Sequence, residues 1–426
     1  MPEPELLRRS RTTLLLCTLL HAFTHAYGTI LVPLYLLMVT DLKLQGVWQA
    51  SLIVTVYGLV YCIVSYGAGV LADRVDRKFL LGVGLIGNAI AITLMGLTKH
   101  YELLVALGIV AGLFGSLFHP AANALVPSHF PKSPGMAIGI LGCGAGLGFF
   151  AGPQFAGWRA ETAAWQLGNI SNWQRPCVEM GIAGIVCGIL FLLVASESRR
   201  RNGAAPEEHP RLGGVLRKRV IALAAVLGCR DFAGVAVISL GSIYLQKAHD
   251  LDAKRTGFII GAMMLISIIV NPITVYFSPG RRRLPTLVFV LIAGGAIVAV
   301  VPWVPLRYVL PVMMTFMAFQ LGSYALSDAA MLERVAADVR GRVVGLFLTI
   351  AGTFASLSPF VMGYWTDRLG PRAADPLAYV PIFVTLGAMM AFAAAAAPLI
   401  ARLGQPDVHA ITAMSEISPS TMEPAV

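Results

Sequence analysis

Apolar runs of about 20 residues, each long enough to cross a hydrocarbon core as a helix, recur along the whole chain between short polar stretches. Numbered in chain order, helices 1 to 6 cover 12–39, 48–71, 79–98, 102–127, 135–155 and 176–195. Helices 7 to 12 cover 219–245, 256–277, 284–303, 308–333, 342–364 and 377–401. A backbone in lipid must satisfy its own hydrogen bonds, so runs this continuous read as helices rather than barrel strands. The expected fold is an all-α polytopic membrane protein with twelve transmembrane helices.

Composition agrees, with 57% hydrophobic residues, 13% charged and a mean hydropathy of +0.75, values foreign to a soluble chain of 426 residues. The opening MPEPELLRRSR leads into an apolar run too long for a signal peptide and without a convincing cleavage site, so it is read as the retained first helix. Lys and Arg collect on the cytoplasmic side of a membrane. With the N-terminus inside, 21 of the 32 lie in inner segments, ten in outer loops and Arg230 alone within a span. Both termini are therefore expected in the cytoplasm, and this one-sided placement accounts for the net charge of +10 better than nucleic-acid binding does. The six cysteines lack paired spacing, which argues against a disulfide framework or a zinc motif.

A shift of 206 residues superimposes Gly28 on Gly234, Arg77 on Arg283, Gly135 on Gly341, Gly139 on Gly345, Gly146 on Gly352, Pro153 on Pro359 and Gly157 on Gly363. The chain therefore reads as two six-helix bundles of the same orientation, 1–197 and 219–403. A cytoplasmic linker, 198–218, joins them, and 404–426 forms a disordered tail. Parallel repeats of this kind place a substrate site between the halves near the midplane.

The stretch GAGVLADRVDRK between helices 2 and 3 resembles the loop pattern of the major facilitator superfamily, roughly Gly-x-Leu-Ala-Asp-Arg-x-Gly-Arg-Lys. Gly69, Leu71, Ala72, Asp73, Arg74, Arg77 and Lys78 match, and Asp76 stands at the usual glycine. The resemblance implies the superfamily fold over residues 12 to about 401, in a bacterial inner membrane. Asp73, at a helix boundary, can be held by a neighbouring helix dipole and by Arg side chains such as Arg342. The charged loop then latches the halves while the cytoplasmic gate is shut. In the second half Pro279 replaces the acid, so a single latch is expected, with Asp328 and Glu333 as further gate charges.

Helix 5 carries GILGCGAGLGFFAGPQFAG. Its Gly139, Gly148, Gly152, Pro153 and Gly157 resemble the Gly-Pro signature of the superfamily's antiporters, which implies export. LHAFTHAYGTILVPLYLL in helix 1 and GSLFHPAANAL in helix 4 resemble the fosmidomycin-resistance group of drug exporters. In that pattern acids and a base stand where this chain has His25, Ala121 and Ala124, so neither fosmidomycin nor that group's proton route carries over.

Ionisable residues inside a membrane are functional candidates, because a lipid-facing charge is costly. His21 and His25 share a face of helix 1, His119 lies in helix 4, Arg230 and Asp231 in helix 7, and Asp328 in helix 10. Helices 1, 4, 7 and 10 line the cavity in the superfamily that the chain resembles. The repeat puts His25 and Asp231 at equivalent positions, which makes them the expected proton-coupling pair. Arg230 stays charged and suits an anionic substrate group, with His21, His119, Asn123 and Tyr27 as further substrate contacts. Neighbours on a helix point about 100° apart, so Arg230 and Asp231 are not expected to pair. An alternative reading makes His21, His25, His119 and Asp231 a transition-metal site.

The motifs of nucleotide-binding and hydrolytic enzymes are missing from the sequence, which argues against an enzyme, and no cofactor is expected. The function expected is secondary active transport of a small anionic or amphiphilic molecule by alternating access, as proton-coupled efflux by a monomer. The alternatives are a proton-coupled importer or facilitator of organic anions, a metal exporter, a lipid flippase, and a non-transporting receptor or assembly protein.

Overall fold

The structure, a computed structural model, describes residues 3–162, 170–197, 212–336 and 339–404. All regular elements among them are helical. Helices 1 to 6 run Leu7–Asp41, Val47–Arg74, Arg77–Met95, Tyr101–His129, Pro134–Glu161 and Gln174–Val194. Helices 7 to 12 run Gly214–Ala248, Ala253–Val270, Gly280–Ala299, Leu306–Leu332, Arg340–Asp367 and Pro376–Ala401. Every expected span is present, with ends shifted by a few residues. Helix 7 starts at Gly214, inside the stretch expected to be linker. The rest of that linker, 198–211, and the tail from 405 on lie outside the described residues. Large apolar side chains such as Leu193, Phe289 and Tyr276 stay exposed on the outer faces, as a lipid solvent requires.

Several spans are broken, and proline accounts for three of the breaks because its ring nitrogen has no hydrogen to give the carbonyl four residues back. Helix 1 passes through a tight turn at Val32–Leu34, which contains Pro33. Helix 4 breaks at Ser116 and Leu117, four and three residues before Pro120. Helix 11 breaks at Leu357, just ahead of Pro359. Irregular backbone at membrane depth is tolerated where it is covered by protein or lines a cavity; Val32 and Pro359 line the central cavity, and the break in helix 4 is covered by helix 3, where Leu117 packs on Gly84.

Small residues let neighbouring backbones touch. Gly144, Gly148 and Gly152, one turn apart on helix 5, lie against the backbone of helix 1 at Thr18, Ala22 and Ala26. Nearer its end, helix 5 crosses to the other half. A Cβ on Gly157 would strike the Ala253 carbonyl, and one on Gly257 the Pro153 carbonyl.

The two ends of the molecule differ. At the terminal end, where helix 1 starts and helix 12 finishes, Ser10 meets His129 and Thr13 meets Ser196 within the first half, and Arg219 reaches the Arg402 carbonyl within the second. At the far end the halves are joined to each other. Ser242 Oγ donates to the Val32 carbonyl at 2.8 Å, the Trp48 N–H to Asp367 at 2.9 Å and the Phe360 N–H to Thr55 Oγ1 at 3.0 Å. The face of helix 5 that meets helix 8 at Pro153 and Gly157 continues through Gly142, Gly139 and Gly135, where no other element among the described residues comes within 4 Å of a would-be Cβ. Helix 11 repeats this. Its Gly363 packs on Trp48 and Ser51 and its Gly352 on Cys62, yet Gly345 and Gly341 meet no other element among the described residues. The halves thus touch at the far end and splay toward the terminal end.

Between helices 2 and 3, Asp76 caps helix 3, its side chain accepting the Phe79 N–H at 2.8 Å. The acid at the pattern's glycine position therefore starts the next helix. Burial pushes this carboxyl up, but hydrogen bonds with Glu197 and with the Phe79 and Lys78 amides, and the Lys78 charge, hold it below the usual carboxylate range.

Candidate functional site

At the apex of the splay, where the halves meet, lies a cavity of about 370 Å³. Its wall is mainly aromatic and aliphatic, with Tyr57, Tyr61, Phe149, Met264, Met317 and Tyr324 prominent. Its polar groups are few, among them Thr24, His25, Ser239 and Gln320. The Gln320 Oε1 and the Tyr61 hydroxyl are buried without a protein partner, so both have capacity left for a ligand or for water.

The first-half wall is backed by three histidines that the chain brings together from two helices. His21 and His25 stand one turn apart on helix 1, with their Nε2 atoms 3.0 Å apart. Proline-induced restart of helix 4 at Phe118 aims His119 at the same point, its ring centre 5.0 Å from His21 and 5.6 Å from His25. The Nδ1 of His21 lies 2.8 Å from the Leu141 carbonyl, which only accepts, so this nitrogen carries the hydrogen. Phe118 stacks on His21 and Phe149 packs on His25. Of the three, His25 faces the cavity.

The second-half wall is backed by charge. Contrary to expectation, Arg230 and Asp231 pair, Nε donating to Oδ1 at 2.7 Å. The divergence of neighbouring Cβ directions does not limit a guanidinium on a stem of three methylenes. With Arg230 fully buried, the stem curls back to the adjacent acid, which pairs a charge that burial would otherwise leave uncompensated. Arg230 is 0% exposed, donates also to Ser327 Oγ at 2.9 Å and lies 3.8 Å from the Tyr324 ring centre. It sits behind Tyr324 and is absent from the cavity wall, so direct contact with an anionic substrate is not part of this arrangement.

The other candidate residues fall in various places. Tyr27 points away from the seam, donating to the Met180 carbonyl of helix 6 at 3.0 Å. Asn123 is exposed, one turn on from His119. Asp73 and Arg74 are exposed at the terminal end and Arg77 and Arg342 are half-buried. Asp328 is exposed one turn beyond Tyr324, whereas Glu333 pairs with Arg283 and Arg334 of its own half and so braces helix 9 against helix 10 rather than bridging the halves. Asp231, tied to Arg230, is not among the residues that converge with the histidines. Gln320, Tyr324, Tyr57 and Tyr61 escaped the sequence reading. Their signal was available, since Gln320, Ser323, Tyr324 and Ser327 form a polar stripe at helical spacing on an apolar span.

Residues 14–359 match the family model described as Major Facilitator Superfamily. The multidrug resistance protein MdtG of Dickeya zeae is 34% identical over 146 residues, 33% of this chain and 35% of that protein. The tetracenomycin C resistance and export protein of Streptomyces glaucescens is 31% identical over 144 residues, 34% of this chain and 26% of that protein. The chain thus aligns with about a third or less of the length of these curated relatives. Over nearly its whole length it superimposes on a bacterial homolog of the human lysosomal transporter Spinster. The inward-facing, unoccupied form of that homolog gives a TM-score of 0.74 at 16% identity, covering 95% of this chain and 98% of that one. The inward-facing, occupied form gives 0.75 at 17% identity, covering 92% and 96%. At such identity the likeness is one of fold.

Proposed function

The chain belongs to the Major Facilitator Superfamily, and from that premise we propose that it is a secondary transporter that exports a small amphiphilic molecule in exchange for protons. The observation that carries the reading is the apical cavity, apolar and sparsely polar, held between halves that touch at one end and splay at the other. A site so placed is reached from one side at a time, which is the geometry of alternating access. The inner charge excess supports placing the terminal end in the cytoplasm of a bacterial inner membrane, so that the splayed side is the cytoplasmic one. Relatives named for multidrug resistance and for tetracenomycin C resistance and export support the outward direction.

The lining favours amphiphiles over simple anions, because among the described residues the wall carries no Lys or Arg. Aromatic faces and methionines accept varied apolar bodies, while Gln320, Tyr61 and Ser239 offer a few hydrogen bonds. The proton carrier in this reading is His25, the titratable side chain that both faces the cavity and touches a second imidazole. Arg230 and Asp231 hold helices 7 and 10 together behind the opposite wall. Asp73, Arg74, Arg77 and Arg342 form the latch at the terminal end when the cleft closes, and a monomer is sufficient for the cycle.

The experiment is uptake of labelled lipophilic cations and neutral amphiphiles into inside-out vesicles under an imposed pH gradient. Accumulation should follow the gradient and collapse when nigericin dissipates it. Equilibration that ignores the gradient would make the protein a facilitator, and accumulation of organic anions alone would contradict the reading of the lining.

A further inference from the structure

We propose that His21, His25 and His119 form a binding site for a late first-row divalent metal ion, with Zn²⁺ as the reference case. The ligating nitrogens of the three side chains all lie within 4.8 Å of one another, and two of them are already 3.0 Å apart. Tetrahedral zinc with Zn–N bonds of about 2.0–2.1 Å separates its ligand nitrogens by roughly 3.3–3.4 Å. Small side-chain rotations therefore convert the cluster into a ligand set, without movement of helix 1 or helix 4.

The hydrogen bonding prepares it. Because the His21 Nδ1–H donates to the Leu141 carbonyl, its Nε2 presents a lone pair toward His25. A ring N–H braced by a backbone carbonyl is the outer-shell arrangement that orients metal-bound imidazoles. Without an ion, that lone pair accepts the His25 Nε2–H. With one, His25 carries its hydrogen on Nδ1 instead, and both Nε2 atoms turn to the metal with no net gain or loss of protons. Stacking of Phe118 on His21 and packing of Phe149 on His25 limit ring rotation away from this geometry.

The donor set selects the ion. Three neutral nitrogens and no oxygen donor suit Zn²⁺, Co²⁺, Ni²⁺ or Cu²⁺ and disfavour Mg²⁺ and Ca²⁺. The fourth position faces the cavity past His25. Neutral ligands leave the ion's charge uncompensated, so a water, hydroxide or anionic donor from the cavity completes the coordination. The site is separate from the direction of transport but not from the coupling: an ion on His25 Nε2 occupies the nitrogen proposed to carry the proton, so metal and proton compete for it, and the test below reads binding alone.

The test uses tag-free, full-length protein in detergent, titrated with Co²⁺ at pH 7.5, followed by its visible absorption and then by displacement with Zn²⁺. The expected result is one equivalent bound, with the intense bands of four-coordinate cobalt. His119→Ala and His21→Ala should each weaken binding at least ~10-fold. His100→Ala, an exposed histidine between helices 3 and 4, should bind like the unaltered protein. Should a variant fail to give a monodisperse fold, the unaltered protein decides alone: four-coordinate bands and a Zn²⁺-induced rise in Tm support the site. Weak, pale octahedral cobalt with no saturation, or binding indifferent to both triad variants, overturns it and leaves a hydrogen-bonded packing cluster.

Discussion

Phe118 in the first half and Tyr324 in the second are 206 residues apart, the same place in the repeat, and each lies against a nitrogen-bearing side chain of the helix facing it. Phe118 covers His21, in a cluster of imidazoles joined by one shared N–H···N contact and open to the cavity at His25. Tyr324 covers Arg230, in a network of fixed charge closed off from the cavity. The duplicated scaffold has thus kept the aromatic platform and exchanged what rests on it. An imidazole can take up and give back a proton near neutral pH, while a guanidinium stays charged. The difference is that one half presents an imidazole to the cavity while the other buries an ion pair behind its wall, and the proton role proposed for His25 rests on that contrast.

The largest effect expected comes from breaking the fixed charge. Arg230→Ala leaves Asp231 buried without its cation and should cost about 3–5 kcal/mol, read as a marked fall in Tm in detergent. The double substitution Arg230→Leu with Asp231→Leu should regain most of the loss. A single variant melting like the unaltered protein would mean the pair is solvated and the contrast between the halves false.

The platforms come next. Tyr324→Leu removes a desolvated cation–π contact and should cost about 2 kcal/mol. Phe118→Leu removes only stacking on an imidazole and should cost about 1 kcal/mol. Equal costs in thermal melts would erase the electrostatic distinction.

The smallest effect lies at the loops, where the repeat again diverges. Asp76 caps helix 3, whereas its counterpart Arg282 ends the opening 3-10 turn of helix 9 and stands at the N-cap of its α-helical part, Arg283–Ala299, without a side-chain cap bond. Asp76→Ala should cost about 1 kcal/mol, and Arg282→Ala should cost nothing at the cap. The folded carboxyl is held below its ordinary range, so its contribution is present above about pH 4 and is lost as pH falls through the lowered value. Melts from pH 7 down to pH 3 should therefore bring Asp76→Ala and the unaltered protein together.

Much of this molecule was legible in its residues because the bilayer makes simple demands. Span number follows from apolar length, and the shared face of His21 and His25 from helical spacing; that helix 4 brings His119 to them is given by the fold. What was not legible depends on reach and direction. The Arg230–Asp231 pair turns on a flexible stem, which Cβ angles do not constrain. Tyr27 reads as a polar group in a cavity-lining helix, yet its ring takes the opposite face and finishes on a helix 6 carbonyl. Glu333 looked like a gate charge because it ends a span, and only the fold places Arg283 beside it. Gln320 and Tyr61 carry no charge and so drew no notice, although the cavity wall depends on them.

The most direct measurement is substrate-driven proton movement in proteoliposomes holding a trapped pH dye, comparing the unaltered protein with His25→Gln at matched folding and substrate binding. The account predicts that His25→Gln binds substrate and melts near the unaltered protein but moves at least ~10-fold fewer protons per substrate added. Proton movement in His25→Gln equal to that of the unaltered protein would contradict it, and would remove the proton from the first-half cluster altogether.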